Sequence, residues 1–122
     1  MPGPDFLCGL DAAIDVVGGK WKALILWALS ERPRRFGELR RELDGVTERV
    51  LTQQLRELER DGIVHREVFR EVPPKVVYSL TVSGQALDQA LSGLGKWGEA
   101  HMDQLIALRA ASEPKSQEAR AN

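Results

Sequence analysis

One cysteine, Cys8, is all the chain has, so no disulfide can form within it and any disulfide joins two chains or a small thiol. Long apolar runs are missing too. The longest, Ala23 to Leu29, is closed by Lys22 and Ser30, far short of the roughly 18 residues that a membrane-spanning helix needs. The opening residues, Met1 to Cys8, lack the basic and apolar stretches of a secretory leader, and a cytoplasmic location with no membrane partner is the expectation. Cys8, His65 and His101 show none of the close spacings of a zinc site, so no metal and no cofactor are expected. Isolated histidines and the lack of a Gly-x-Ser-x-Gly elbow argue against an enzyme. Gly18-Gly19-Lys20 is not a phosphate loop, because Ile14 stands where its first glycine belongs and Trp21 where its Ser or Thr belongs. Excess positive charge is also missing: the net charge is −1, and bulk charge does not mark a nucleic-acid binder.

What the chain does have is an ordinary soluble composition, 43% hydrophobic and 29% charged over 122 residues, enough for one core. One domain is expected over 1–111 and a disordered tail over 112–122, where no apolar residue larger than alanine occurs. Cations gather in the middle: residues 32 to 75 hold 11 basic residues against 9 acidic ones.

Periodicity orders the elements. A helix is expected over Asp11 to Val17, capped by Asp11 and ended by Gly18-Gly19. A second, Lys20 to Glu31, turns Trp21, Leu24, Ile25, Ala28 and Leu29 inward and leaves Leu26 and Trp27 for another surface. Pro33 stops it, Arg34-Arg35 form an extended link, and Phe36 to Leu43 makes a short helix before the Asp44-Gly45 turn. In the next helix, Val46 to Asp61, Leu51, Leu55 and Leu58 form one stripe, and Arg49, Thr52, Gln53 and Arg56 form the opposite one. Thr47 is its expected N-cap, and Gly62 its left-handed end. Period-two runs, Ile63 to Phe69 and Val76 to Thr81, then predict a two-stranded hairpin whose loop contains Pro73-Pro74. After the cap Thr81 a long helix carries Leu87, Leu91, Leu94, Gly98, His101, Leu105 and Leu108 at three-four spacing, a seam that needs a partner surface.

The fold class expected is mainly α with a small β-wing (α+β): a winged helix-turn-helix. In such a fold the second helix packs by its leucine stripe and offers the other face to the major groove. There Arg can grip guanine, Gln can grip adenine, and Thr hydroxyls can reach base or phosphate. The candidate DNA contacts are therefore Thr47, Arg49, Thr52, Gln53 and Arg56, with Arg66, Arg70 and Lys75 of the wing and Arg35 before the motif. Arg34, Arg40 and Arg41 are further candidates for anchoring the DNA backbone.

Gly18-Gly19-Lys20-Trp21-Lys22, with Cys8 ahead of it and Arg35-Phe36-Gly37-Glu38-Leu39 after it, begins an ordered series of short motifs. Leu51-Thr52-Gln53-Gln54-Leu55-Arg56-Glu57-Leu58, Asp61-Gly62, Pro73-Pro74, Val77-Tyr78-Ser79-Leu80-Thr81 and Gly84 complete it. From Cys8 to His101 the chain resembles the HxlR-type transcription regulators. The resemblance implies a homodimer joined by its terminal helices, with an interface through Leu87, Leu91, Leu94, Trp97, His101, Leu105 and Leu108. It also implies a repressor that reads double-stranded, pseudo-palindromic operator DNA. Some similar regulators sense oxidants, quinones or aldehydes through a cysteine at the position of Cys8, a role that requires an exposed thiol with thiolate character. Two other readings stay open: a winged-helix regulator switched by a non-covalent small-molecule effector, and a protein-interaction module using the C-terminal helix.

Overall fold

The computed structural model describes residues 5–112. By internal contacts the chain forms two compact units, Met1–Gln89 and Ala90–Asn122, each described by itself. The tail expected over 112–122 lies outside the described residues apart from Ser112.

Eight elements follow one another: α1 (Gly9–Val17), α2 (Trp21–Glu31), β1 (Arg34–Arg35), α3 (Phe36–Glu42), α4 (Glu48–Arg60), β2 (Val64–Phe69), β3 (Lys75–Leu80) and α5 (Val82–Ser112). The core of the first unit joins Ile25, Leu26 and Leu29 of α2 to Leu39 of α3, Leu51, Leu55 and Leu58 of α4, and Val64 of β2, all buried. Each leucine-sized side chain removed from water contributes about 2 kcal/mol before entropy is counted.

Several local outcomes differ from the sequence reading. α1 begins at Gly9 with Cys8 as its N-cap, and Asp11 sits inside the first turn, where its carboxylate accepts the Leu7 N–H at 2.9 Å. In α2 Leu26 is buried rather than turned to another surface, whereas Leu24 is exposed. The reason is packing on several sides: α2 lies against α3, α4 and β3, so its inward arc is wider than one stripe. The Arg34-Arg35 link is a strand. It pairs antiparallel with β3, Arg34 opposite Tyr78 and Arg35 opposite Val77, so the sheet has three strands in the order β1-β3-β2 rather than two. Two residues are too few to carry a period.

α4 has well-formed ends. Thr47 Oγ1 accepts the Val50 N–H at 3.1 Å. At the other end Gly62, at φ 74°, lets its own N–H reach the Glu59 carbonyl and the Ile63 N–H reach the Leu58 carbonyl, the two bonds of a Schellman cap. The chain then enters β2 with Ile63 already in the core. In α5 Thr81 caps as expected, its Oγ1 accepting the Gly84 N–H at 3.0 Å.

Candidate nucleic-acid interface

The leucine stripe of α4 is buried, so the helix faces solvent with what remains: Arg49, Gln53 and Arg56 are exposed and Thr52 is half-buried. With Glu48, these four line an open groove of about 580 Å³. Thr52 and Arg56 also line a second cleft, of about 430 Å³, with Phe36, Leu55, Glu59, Arg66 and Tyr78. Arg66 pairs with Tyr78 across the hairpin, so β2 brings a wing arginine to the same cleft as the helix face. The structure thus joins Arg49, Thr52, Gln53, Arg56 and Arg66 along two adjoining depressions. Thr47, Arg35, Arg70 and Lys75 line neither one.

Charge pairing sorts the cations in a way that composition cannot. Arg34 is 5% exposed, donates to the Ala28 carbonyl, and pairs with Glu31 at 2.9 Å and Glu42 at 2.8 Å. It ties α2 to α3, and the expectation that it anchors a DNA backbone is corrected. Arg40 is held by Glu48, and Arg60 by Asp61. Lys75 is half-buried with its ammonium 4.8 Å from the centre of the Phe69 ring. Among the described residues Arg49, Arg56, Arg66 and Arg70 make no ion pair. A protein with no net positive charge therefore still presents unneutralised guanidinium groups on α4 and the wing.

The hydroxyls are more constrained. Thr52 donates to the Glu48 carbonyl at 2.8 Å, which leaves it able only to accept. Thr47 spends an acceptor lone pair on its cap and keeps its hydroxyl hydrogen free to donate. Gln53 donates its amide to Glu57 Oε2 at 3.1 Å, and Glu57 Oε1 receives Lys22 Nζ at 2.5 Å.

Two carboxylates here are held below their ordinary protonation range. The Arg35 backbone N–H, followed by the Arg32 guanidinium, lowers Glu38; the Lys22 ammonium, followed by the Gln53 amide, lowers Glu57. Because the unfolded chain binds protons to these groups more readily, their contribution is complete above the unfolded value. It is lost as pH falls through the lower folded values. The expected melting profile is flat from neutrality to mild acid and falls below about pH 4, the ordinary carboxylate range. Glu38→Gln should lessen that fall in a calorimetric pH series.

Sequence reasoning missed Phe36, Glu59 and Tyr78 as cleft walls, and Lys22 as a buried group. No periodic signal marks them, since the first three reach the cleft from three different elements. On α5, Met102 and Ile106 are exposed beside the expected seam. They belong to the i+4 row from Leu94 through Gly98, which a three-four reading passes over. Cys8 is exposed. Among the described residues no group of three or more potential metal ligands occurs, and no helix is long and apolar enough to cross a membrane.

A short helix, a tight turn, an amphipathic helix with a polar outer face and a β-hairpin together define a winged helix-turn-helix, the class of DNA-binding transcription regulators. The chain belongs to the HxlR-like helix-turn-helix family, whose model matches residues 16–106. It is 46% identical over 104 residues to the HTH-type transcriptional regulator YdeP of Bacillus subtilis (strain 168), covering 85% of this chain and 81% of that one. YybR of the same organism is 45% identical over 111 residues, covering 91% and 89%. Among solved structures, the redox regulator HypR in its reduced form shares 46% identity at a TM-score of 0.78, covering 82% of this chain and 99% of that one.

Proposed function

We propose that the chain is a homodimeric repressor that reads a pseudo-palindromic operator through the outer face of α4, supported by the wing, and that oxidation or alkylation of Cys8 releases it. The observation that carries the DNA reading is the set of unpaired guanidinium groups, Arg49, Arg56 and Arg66, on one helix face and the adjoining cleft. Two such helices related by a twofold axis enter successive major grooves about 34 Å apart. Exposed apolar residues support self-association in each unit taken alone: Leu7, Leu10, Ile14 and Trp27 in the first, Leu94, Trp97, Ile106 and Leu108 in the second.

Site selection from random DNA, followed by mobility shifts, tests the reading. Arg49→Ala and Gln53→Ala each cost about 1–3 kcal/mol in binding the selected site and relax one base position, while log K falls steeply with log salt. A selected site bound equally well by the variant lacking both side chains sinks these assignments.

The Cys8 reading is supported by the exposed thiol at the start of α1 and by a redox regulator among the solved relatives. Peroxide or a quinone is expected to abolish operator binding by the wild type and to leave Cys8→Ser bound. An oxidant response that survives in Cys8→Ser removes the thiol from the switch.

A further inference from the structure

We propose that Lys22 and Glu57 are positioning residues that fix which way the Gln53 amide points, so that this position of the recognition helix reads adenine and rejects guanine. The inference rests on the proposed DNA reading and deepens it. The geometry is a three-member chain running from the interior to the surface. Lys22, on α2, is 6% exposed and places its Nζ on Glu57 Oε1; Glu57 Oε2 takes the Nε2 of Gln53, one turn earlier on α4.

The chemistry leaves one arrangement. An ionised carboxylate only accepts, so the end of the Gln53 amide that meets Glu57 must be its NH2 group. The Lys22 ammonium holds the carboxylate in place and keeps it ionised, as the lowered protonation range of Glu57 also indicates. One N–H of Gln53 is thereby spent. What remains for a base is the carbonyl oxygen and a single N–H, an acceptor beside a donor.

Adenine shows the complementary pair in the major groove, the N6 amino donor beside the N7 acceptor. Guanine shows two acceptors, O6 and N7, and needs two donors that the clamped amide no longer has. An unclamped glutamine is free to rotate and can meet either edge, so discrimination at this position comes from residues that touch no DNA. Lys22, which has no place on the protein surface, acquires a part in recognition through its hold on Glu57.

Exchanging the pair tests this. In Lys22→Glu/Glu57→Lys the charges and net charge are kept, but the group facing Gln53 becomes a pure donor, which turns the amide over and frees both its hydrogens. Sites are selected from random DNA by the wild type, by Gln53→Ala, which marks the position read, by the exchange variant, and by Lys22→Met/Glu57→Leu, which removes the clamp. The expected results are adenine over guanine by about tenfold in the wild type, reversal to guanine in the exchange variant, and near-equality in the unclamped variant. The salt dependence of binding, set by phosphate contacts, stays the same in all of them. Lys22→Arg, still a donor to Glu57, keeps the adenine preference.

Uniform weakening with the adenine preference intact in both double variants means the pair is merely structural and overturns the proposal. Guanine selected by the wild type at the Gln53 position overturns it as well, and that result does not depend on how the variants fold. A wild-type protein that selects no site at all overturns the DNA reading itself and this inference with it, whereas any of the preceding outcomes leaves the DNA reading standing.

Discussion

Gly84→Ala is expected to cost about 3 kcal/mol or more of folding stability, enough to consume much of a small domain's margin. A Cβ built at Gly84 falls 2.2 Å from the Ile63 carbonyl oxygen and 3.3 Å from Leu80 Cδ2. The first neighbour is backbone and cannot swing aside. It is also occupied, because the Ile63 carbonyl accepts the Thr81 N–H at 3.1 Å and lies 3.1 Å from the Thr81 hydroxyl, which caps α5. Moving that carbonyl disturbs the start of α5 and the Schellman cap of α4 together, since the Ile63 N–H closes that cap on Leu58. Urea denaturation measures the loss, and Gly93→Ala is the control. Nothing lies within 4 Å of a Cβ at Gly93, and alanine there is expected to add up to about 1 kcal/mol through helix propensity. A Gly84→Ala protein as stable as the wild type means that β2 and α5 are held further apart than this contact requires.

α4 was legible because all its signals are local. Leu51, Leu55 and Leu58 against Arg49, Gln53 and Arg56 state two faces within four turns, and Thr47 and Gly62 state where the helix begins and ends. The hairpin was legible for a similar reason, as period-two runs around a proline pair. β1 was not, because Arg34-Arg35 becomes a strand only through pairing with Tyr78 and Val77, more than forty positions away along the chain. Arg34 and Arg35 also show how a like-looking pair separates: strand alternation sends one guanidinium into the interior, where Glu31 and Glu42 meet it, and leaves the other exposed. The candidate site was legible as a list of side chains on one helix and one hairpin. Its closure into adjoining depressions, through Phe36, Glu59 and Tyr78, depends on tertiary packing. Lys22 was the hardest to read, since a lysine between Trp21 and Ala23 is by default a solvated charge, and its partner lies 35 residues on.

That buried lysine leads to the second large effect. Glu57→Leu is expected to cost about 3 kcal/mol, and Lys22→Met distinctly less, about 1 kcal/mol, although each removes the same ion pair. The asymmetry follows from exposure. The Lys22 side chain is 7% exposed and the Glu57 side chain 28% exposed, so removing the glutamate leaves a buried ammonium without its counter-ion. Removing the lysine leaves a carboxylate that water can reach and solvate. Taking away both charges in Lys22→Met/Glu57→Leu should restore stability to within about 1 kcal/mol of the wild type, because an apolar pair of similar volume escapes the desolvation that the ions suffer. Urea unfolding of the four proteins forms a double-mutant cycle in which the coupling carries most of the cost of the glutamate variant. Equal losses in the two single variants mean that the lysine reaches water on its own and that the pair is an ordinary surface contact. A double variant as unstable as Glu57→Leu alone places the loss in packing around α4, whereas recovery in the double variant identifies the stranded charge as its cause.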